Sequence, residues 1–218
     1  IEKVIEKVIK EKISLVGSGR TDAGVNAIGQ SANFKIKKKI NDKIKFLNSV
    51  NFFLNKANLF ISVLDVKKKK LLFHSRFSAK KRTYKYIIIN RIGSLTINRD
   101  RAWHIKKKLN INLMKKAGRL LMGKRDFSTF RASSCNAKSA VKTIENISII
   151  KSKSEIISIF KSRSFLQQQV RSMMGCIKYV GEEKWTIKKF KEIMLSKKRE
   201  LCAPPAPAQG LYLYRVDY

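Results

Sequence analysis

The sequence predicts an α+β protein of two similar sheet-plus-helix halves, 1–95 and 96–218, that share an extended, mainly antiparallel sheet. Three observations carry this expectation. Segments of helical period and segments rich in β-branched and aromatic residues follow one another twice. The two rounds are joined by a stretch of weaker pattern near 90–105. The 218 residues, 44% of them hydrophobic, suffice for one large domain or two small ones around a real core.

The elements follow in order. Val4, Ile5, Val8 and Ile9 recur at helical spacing, so 1–12 reads as an amphipathic helix beginning at Ile1. Ile13–Val16 reads as a short strand entering a glycine-bounded loop at 17–24. A second helix is expected over 42–55, with Ile44, Leu47 and Leu54 on one side. The runs 59–66 (LFISVLDV) and 82–89 (RTYKYIII) have strand composition, and Lys67–Lys70 between them reads as a solvated turn. In the second round, 112–122 is helical with Leu113, Ala117, Leu120 and Leu121 inward, and Gly123 stops it. A hairpin is expected from 143–150 and 155–161 around Lys-Ser-Lys-Ser. Over 165–180, Leu166, Val170, Met173, Ile177 and Val180 share one helical face, the methionines as core. Thr186 caps a short helix carrying Ile187, Phe190 and Ile193. Pro204-Pro205-Ala206-Pro207 is a rigid linker into a final strand at 211–218.

Charge narrows the partner. With 49 Lys+Arg against 15 Asp+Glu, the net charge is +34 and attracts polyanions, a nucleic acid first among them. The chain is also rich in Lys, Ile and Asn, whose codons are A/T-heavy, so part of the excess is attributable to genome composition. Cys135, Cys176 and Cys202 form no Cys-x-x-Cys pair, which argues against a disulfide framework or zinc site. No apolar stretch approaches the roughly 20 residues that span a bilayer, and no secretory signal is visible, so the cytoplasm is the expected compartment.

Few residues offer chemistry. His74 and His104 are too few and too separate for a metal cluster, and His74 reads as a packing or hydrogen-bonding residue. The segment Gly17-Ser-Gly-Arg-Thr-Asp-Ala-Gly24 stands apart. Its glycines permit a sharp turn, and in an extended segment Arg20 and Asp22 project to one side. A guanidinium there keeps a carboxylate ionised for use as a nucleophile or base. The plainer reading is an Asx-type turn with a surface ion pair.

The run GRTDAGVNAIGQSANF at 19–34 resembles the catalytic signature of the TruA family of tRNA pseudouridine synthases. FHSRFSAKKRTYKYII at 73–88, DFSTFRASSC at 126–135, FLQQQVRSMMGCIKYVG at 165–181 and APAQGLYLYRVDY at 206–218 resemble family segments in the same order. The resemblance implies the pseudouridine synthase fold, with a basic cleft between its halves. It implies isomerisation of uridine to pseudouridine at tRNA positions 38 to 40, in the anticodon stem-loop, by a homodimer using no metal or cofactor. By matching position, Asp22 is implied as the catalytic aspartate and Tyr84 as the platform stacked on the uracil. Arg20 is implied to help extrude the nucleotide and to pair with the carboxylate, and Arg171 to form a salt bridge with Asp22.

Physically, the base must leave the helical stack, detach from C1′, rotate and rejoin through C5, which calls for an aromatic platform and a carboxylate. Attack on the sugar, removal of a C2′ proton and addition to the base all remain open to that carboxylate. The chain departs from the family at Asn26, where many relatives carry histidine, and at Gln167 and Gln168, where a histidine pair is common. The family's opening strand, with its Tyr-Asp-Gly and Gly-Trp-Gln features, is not among these residues. The expectation is therefore a partial sequence whose first half lacks that strand. The rival reading is a non-catalytic RNA-binding protein derived from this fold; a ribosomal protein, the third, leaves the ordered motifs unexplained.

Overall fold

The structure, a computed structural model, describes residues 1–37 and 39–218. It divides into two compact units, residues 1–19 with 31–78, and residues 20–30 with 79–218.

In the first unit, α1 (Glu2–Ile9) packs on α2 (Lys43–Lys56) through Ile5, Phe46, Val50 and Leu54. Asp42 caps α2 by accepting from the Lys45 amide at 2.8 Å. The buried stripe of α2 is Phe46, Val50 and Leu54, not one containing Ile44, which is 73% exposed. Ile44 lies two residues from Phe46, on the opposite side of a 3.6-residue helix. The strand expected from Ile13 shortens to β1 (Val16–Gly17), which pairs antiparallel with β3 (Ala32–Asn33).

Residues 59–66 form no strand. Their composition suits one, but among the described residues no neighbour offers them a ladder. Asn51 of α2 holds Val63 instead, accepting from its amide at 2.7 Å and donating to its carbonyl at 2.8 Å. Lys67–Lys70 are exposed, as expected for a solvated turn.

The second unit is built on a seven-stranded, mixed and mainly antiparallel sheet. Its path runs β2 (Asn26–Ala27), β9 (Leu211–Asp217), β4 (Lys81–Asn90), β8 (Glu155–Ser162), β7 (Val141–Ser152), β6 (Gly123–Asp126). Off this path, β5 (Trp103–Ile105) pairs parallel with β4, and β2 pairs parallel with β9. Strand β8 alternates buried and partly exposed residues along its length, the period of a sheet covered on one face. In β7 the buried positions step from Ile144 to Ile147 and Ile149, and a bulge between Ile144 and Asn146 restores the phase.

Helices α3 (Ile111–Leu120), α4 (Gln169–Gly181) and α5 (Ile187–Ser196) complete one continuous core with the sheet. Thr186 caps α5 as expected, accepting from the Lys189 amide at 3.1 Å. Met173 and Met174 are fully buried. Among the described residues no helix is long and apolar enough to cross a membrane.

Residues 202–210 form a strap that lies against α4 before the chain enters β9. At Gly175 of α4, a Cβ would stand 2.2 Å from the Pro204 carbonyl oxygen. Replacing a helical glycine by alanine ordinarily stabilises by about 1 kcal/mol. Here the sign reverses, because two backbones would have to separate. Gly175→Ala is expected to destabilise by roughly 2–3 kcal/mol, read as a fall of several degrees in Tm.

Candidate active site

The loop 20–30 is docked on the last strand. Beyond the β2–β9 pairing, the amides of Ile28 and Gly29 donate to the Leu213 carbonyl at 2.9 and 3.1 Å. The Asn26 side chain donates to the Gln209 carbonyl at 3.0 Å. Ahead of β2 the chain turns sharply: the Val25 amide donates to the Asp22 carbonyl at 3.1 Å, and Gly24 takes φ +79°. That backbone conformation suits glycine and strains any other residue.

Arg171 meets this loop from the first turn of α4. Its Nη1 donates to Asp22 Oδ2 at 2.7 Å, and its Nε donates to the Ala206 carbonyl at 2.7 Å. The Ala206 amide in turn donates to the Arg171 carbonyl at 3.0 Å. The guanidinium is thus oriented by the strap before it reaches the carboxylate, as its rigid fork allows. The Arg171 and Asp22 side chains are 16% and 23% exposed, a setting between surface and core. Such a pair contributes more than the ~0–1 kcal/mol of an exposed one, and losing one partner costs less than the ~3–5 kcal/mol of a fully buried break. Asp22 Oδ1 has no hydrogen bond among the described residues, so one carboxylate oxygen stays available.

Tyr84 lies in β4 between Phe160 of β8 and Leu213 of β9. A bulge in the β4–β9 pairing falls between Thr83 and Tyr84, opposite the extra residue Tyr214, and such bulges re-aim side chains. The ring meets Phe165 edge-on at 5.2 Å between centroids, and the residue is 9% exposed. Burial pushes its phenol up, Arg82 pulls it back, and the Asp22 charge adds to the rise. Tyr84 therefore stays protonated and within the electrostatic reach of Asp22.

The fold brings Asp22, Arg171 and Tyr84 into one unit. Arg20 is exposed, and among the described residues no ion pair joins it to Asp22. Residues 20–22 belong to no strand ladder. His74 packs locally: its Nδ1 accepts from the Arg76 and Phe77 amides, and its ring lies 4.3 Å from that of Phe77. His104 Nε2 lies 2.9 Å from the Arg91 carbonyl oxygen. Among the described residues no three His, Cys, Asp or Glu side chains converge as a metal site would require.

Sequence reasoning missed the strap. Tyr86, fully buried in β4, donates its hydroxyl to the Pro207 carbonyl at 2.7 Å, and burial keeps that phenol protonated. The acceptors on Ala206, Pro207 and Gln209 are backbone carbonyls, which every residue carries. The signals in the sequence were the Pro204-Pro205-Ala206-Pro207 run, which stiffens the segment, and the family-like run that starts at Ala206.

A family model described as tRNA pseudouridine synthase matches residues 117–218. The chain is 58% identical over 219 residues to tRNA pseudouridine synthase A of Pelagibacter ubique, covering all of this chain and 88% of that protein. It is 39% identical over 223 residues to the protein of the same name from Parvibaculum lavamentivorans, with 100% and 89% covered. With that of Maricaulis maris it shares 37% over 219 residues, with 100% and 86% covered.

Proposed function

The chain belongs to the TruA family of tRNA pseudouridine synthases, isomerases that make pseudouridine from uridine in tRNA, and on that premise we propose that Asp22 is its catalytic carboxylate. The observation that carries this is the 2.7 Å pair between Arg171 and Asp22 Oδ2. It joins two segments 149 residues apart in sequence and leaves Oδ1 available for reaction.

The isomerisation breaks the N1–C1′ bond and forms a C5–C1′ bond; C5 gives up a proton and N1 gains one, so nothing is added or lost. Electron deficiency develops at C1′ as the base detaches, and an ionised carboxylate there stabilises it. Arg171 orients the carboxylate by its charge and by a guanidinium that the strap itself holds in place. Tyr84 supplies an aromatic surface for the extruded uracil, a stack worth about 1–3 kcal/mol by truncation. Its protonated hydroxyl and proximity to Asp22 support that role. Arg20, exposed on the same loop, acts on the RNA and helps displace the target nucleotide. Lys and Arg residues hold the phosphate backbone largely without reading sequence.

The target is the anticodon stem-loop, at positions 38 to 40, the enzyme works as a homodimer, and tRNA as substrate supports action in the cytoplasm. The kinship with named synthases and the intact Asp22–Arg171 pair disfavour a non-catalytic RNA-binding role.

Incubating the purified protein with an unmodified tRNA transcript and mapping pseudouridine at base resolution tests activity and position together. Product at 38 to 40 is expected. Product elsewhere overturns the assigned position, and its absence from folded protein overturns the catalytic assignment.

A further inference from the structure

We propose that Cys176 and Cys202 form an oxidisable dithiol, at which hydrogen peroxide closes a reversible disulfide between α4 and the strap and displaces the support of Arg171. The two Sγ atoms lie 3.4 Å apart although their residues are 26 apart in sequence. All three cysteines are free. A disulfide needs the sulfurs at about 2.0 Å, so they must approach by roughly 1.4 Å. Cys176 is buried, whereas Cys202 is partly exposed and open to a small oxidant.

The two thiols are matched in character. A hydrogen bond from Cys176 holds the Cys202 thiol below its ordinary range against the effect of burial, and Arg199 adds to the lowering. The same contact, with burial, pushes Cys176 up. Cys202 is therefore the attacking sulfur. Its thiolate takes one oxygen of the peroxide; the O–O bond breaks, and the departing hydroxide collects the proton that Cys202 released. The Cys202 sulfenic acid is then attacked by the Cys176 sulfur. The S–O bond breaks, and the second hydroxide leaves as water with the Cys176 proton. Two thiols are oxidised and one peroxide is reduced to two waters.

The consequence follows from where the pair sits. Cys176 lies on the helix that carries Arg171, and Cys202 begins the strap whose Ala206 carbonyl accepts from Arg171 Nε. Between them the Pro204 carbonyl lies so close to Gly175 that even one added carbon would not fit. The strap has no slack there, so drawing Cys202 toward α4 strains the bonds at Ala206. The effect on turnover rests on the reading of Asp22 and Arg171 above; formation of the disulfide does not.

The test compares reduced and peroxide-treated full chain. Peptide mapping should find Cys176 linked to Cys202 with the loss of two hydrogens, reversed by dithiothreitol, present in Cys135→Ser and absent from Cys202→Ser. Exchange of the Ala206 amide should quicken on oxidation. Pseudouridine formation should fall on the order of tenfold in wild type and recover on reduction, as expected of a site displaced by about an ångström or less. Cys202→Ser should lose none of its activity under the same treatment. Peroxide that yields only sulfinic or sulfonic acids, or dimers through Cys135, overturns the dithiol. A linked pair with unchanged Ala206 exchange overturns the coupling to the strap. If the reduced protein makes no pseudouridine, the catalytic reading fails, while the peptide map and amide exchange still decide this one.

Discussion

Asp22→Ala abolishes pseudouridine formation, with kcat/KM reduced at least on the order of a thousandfold, and leaves tRNA affinity nearly unchanged. The asymmetry is the informative part. Affinity for tRNA comes mainly from cationic contacts to phosphates spread over a chain of net charge +34, and removing one carboxylate subtracts none of them. On the proposed assignment chemistry depends on a single oxygen pair, of which Oδ2 is committed to Arg171 and Oδ1 is available. Asp22→Asn separates charge from shape, since it keeps the size and an acceptor for Arg171 but cannot carry the negative charge. It should be as inactive as the alanine variant, with Tm nearer that of wild type. Base-resolved mapping for product, and binding titrations at one fixed salt concentration, check the pair of expectations. Turnover by Asp22→Ala would transfer the catalytic role to another residue.

Arg171→Met should lower kcat by about a hundredfold, and Arg171→Lys by less. Methionine preserves the stem that packs in α4 but deletes the donors to both Ala206 and Asp22. The partly buried carboxylate then loses its counter-charge and the strap loses one of its ties, at a cost of about 2 kcal/mol in stability. Lysine restores the charge but not the fork, since one ammonium cannot reproduce the two differently placed nitrogens. KM should change little in either variant, because the pair orients the carboxylate rather than gripping the RNA. Steady-state kinetics with melting curves on the same preparations separate the two effects. A lysine variant as fast as wild type would show that the fork does not matter.

What could be read from the sequence followed the reach of each interaction. Hairpin β7–β8 and the cap on α5 depend on neighbours a few residues away, and both were legible from period and residue type. Residues 59–66 were misread because β-branched residues state only a willingness to pair; the partner is supplied by the rest of the fold. The side of α2 that carries Ile44 is as apolar in sequence as the side that carries Phe46 and Val50, and the choice between them is made by α1, not by α2. For the site, Asp22 stood out locally through its flanking glycines, but Arg171 could be joined to it only through family resemblance. The Ala206 and Pro207 carbonyls had no side-chain signature at all. The contact between Cys176 and Cys202 was equally invisible, because sequence spacing carries no information about a helix and a strap that meet in space.

The parallel pairing of β2 with β9 has a consequence for how the enzyme comes into being. The strand on which the Asp22 loop docks is made nearly two hundred residues after Asp22, at Leu211–Asp217. Throughout that interval on the ribosome the loop has no β9 on which to settle, and loop closure over such a span is slow compared with local structure. The dock for the Asp22 loop therefore forms only once β9 has been made, and a chain released before Leu211 carries Asp22 on a loop without that support.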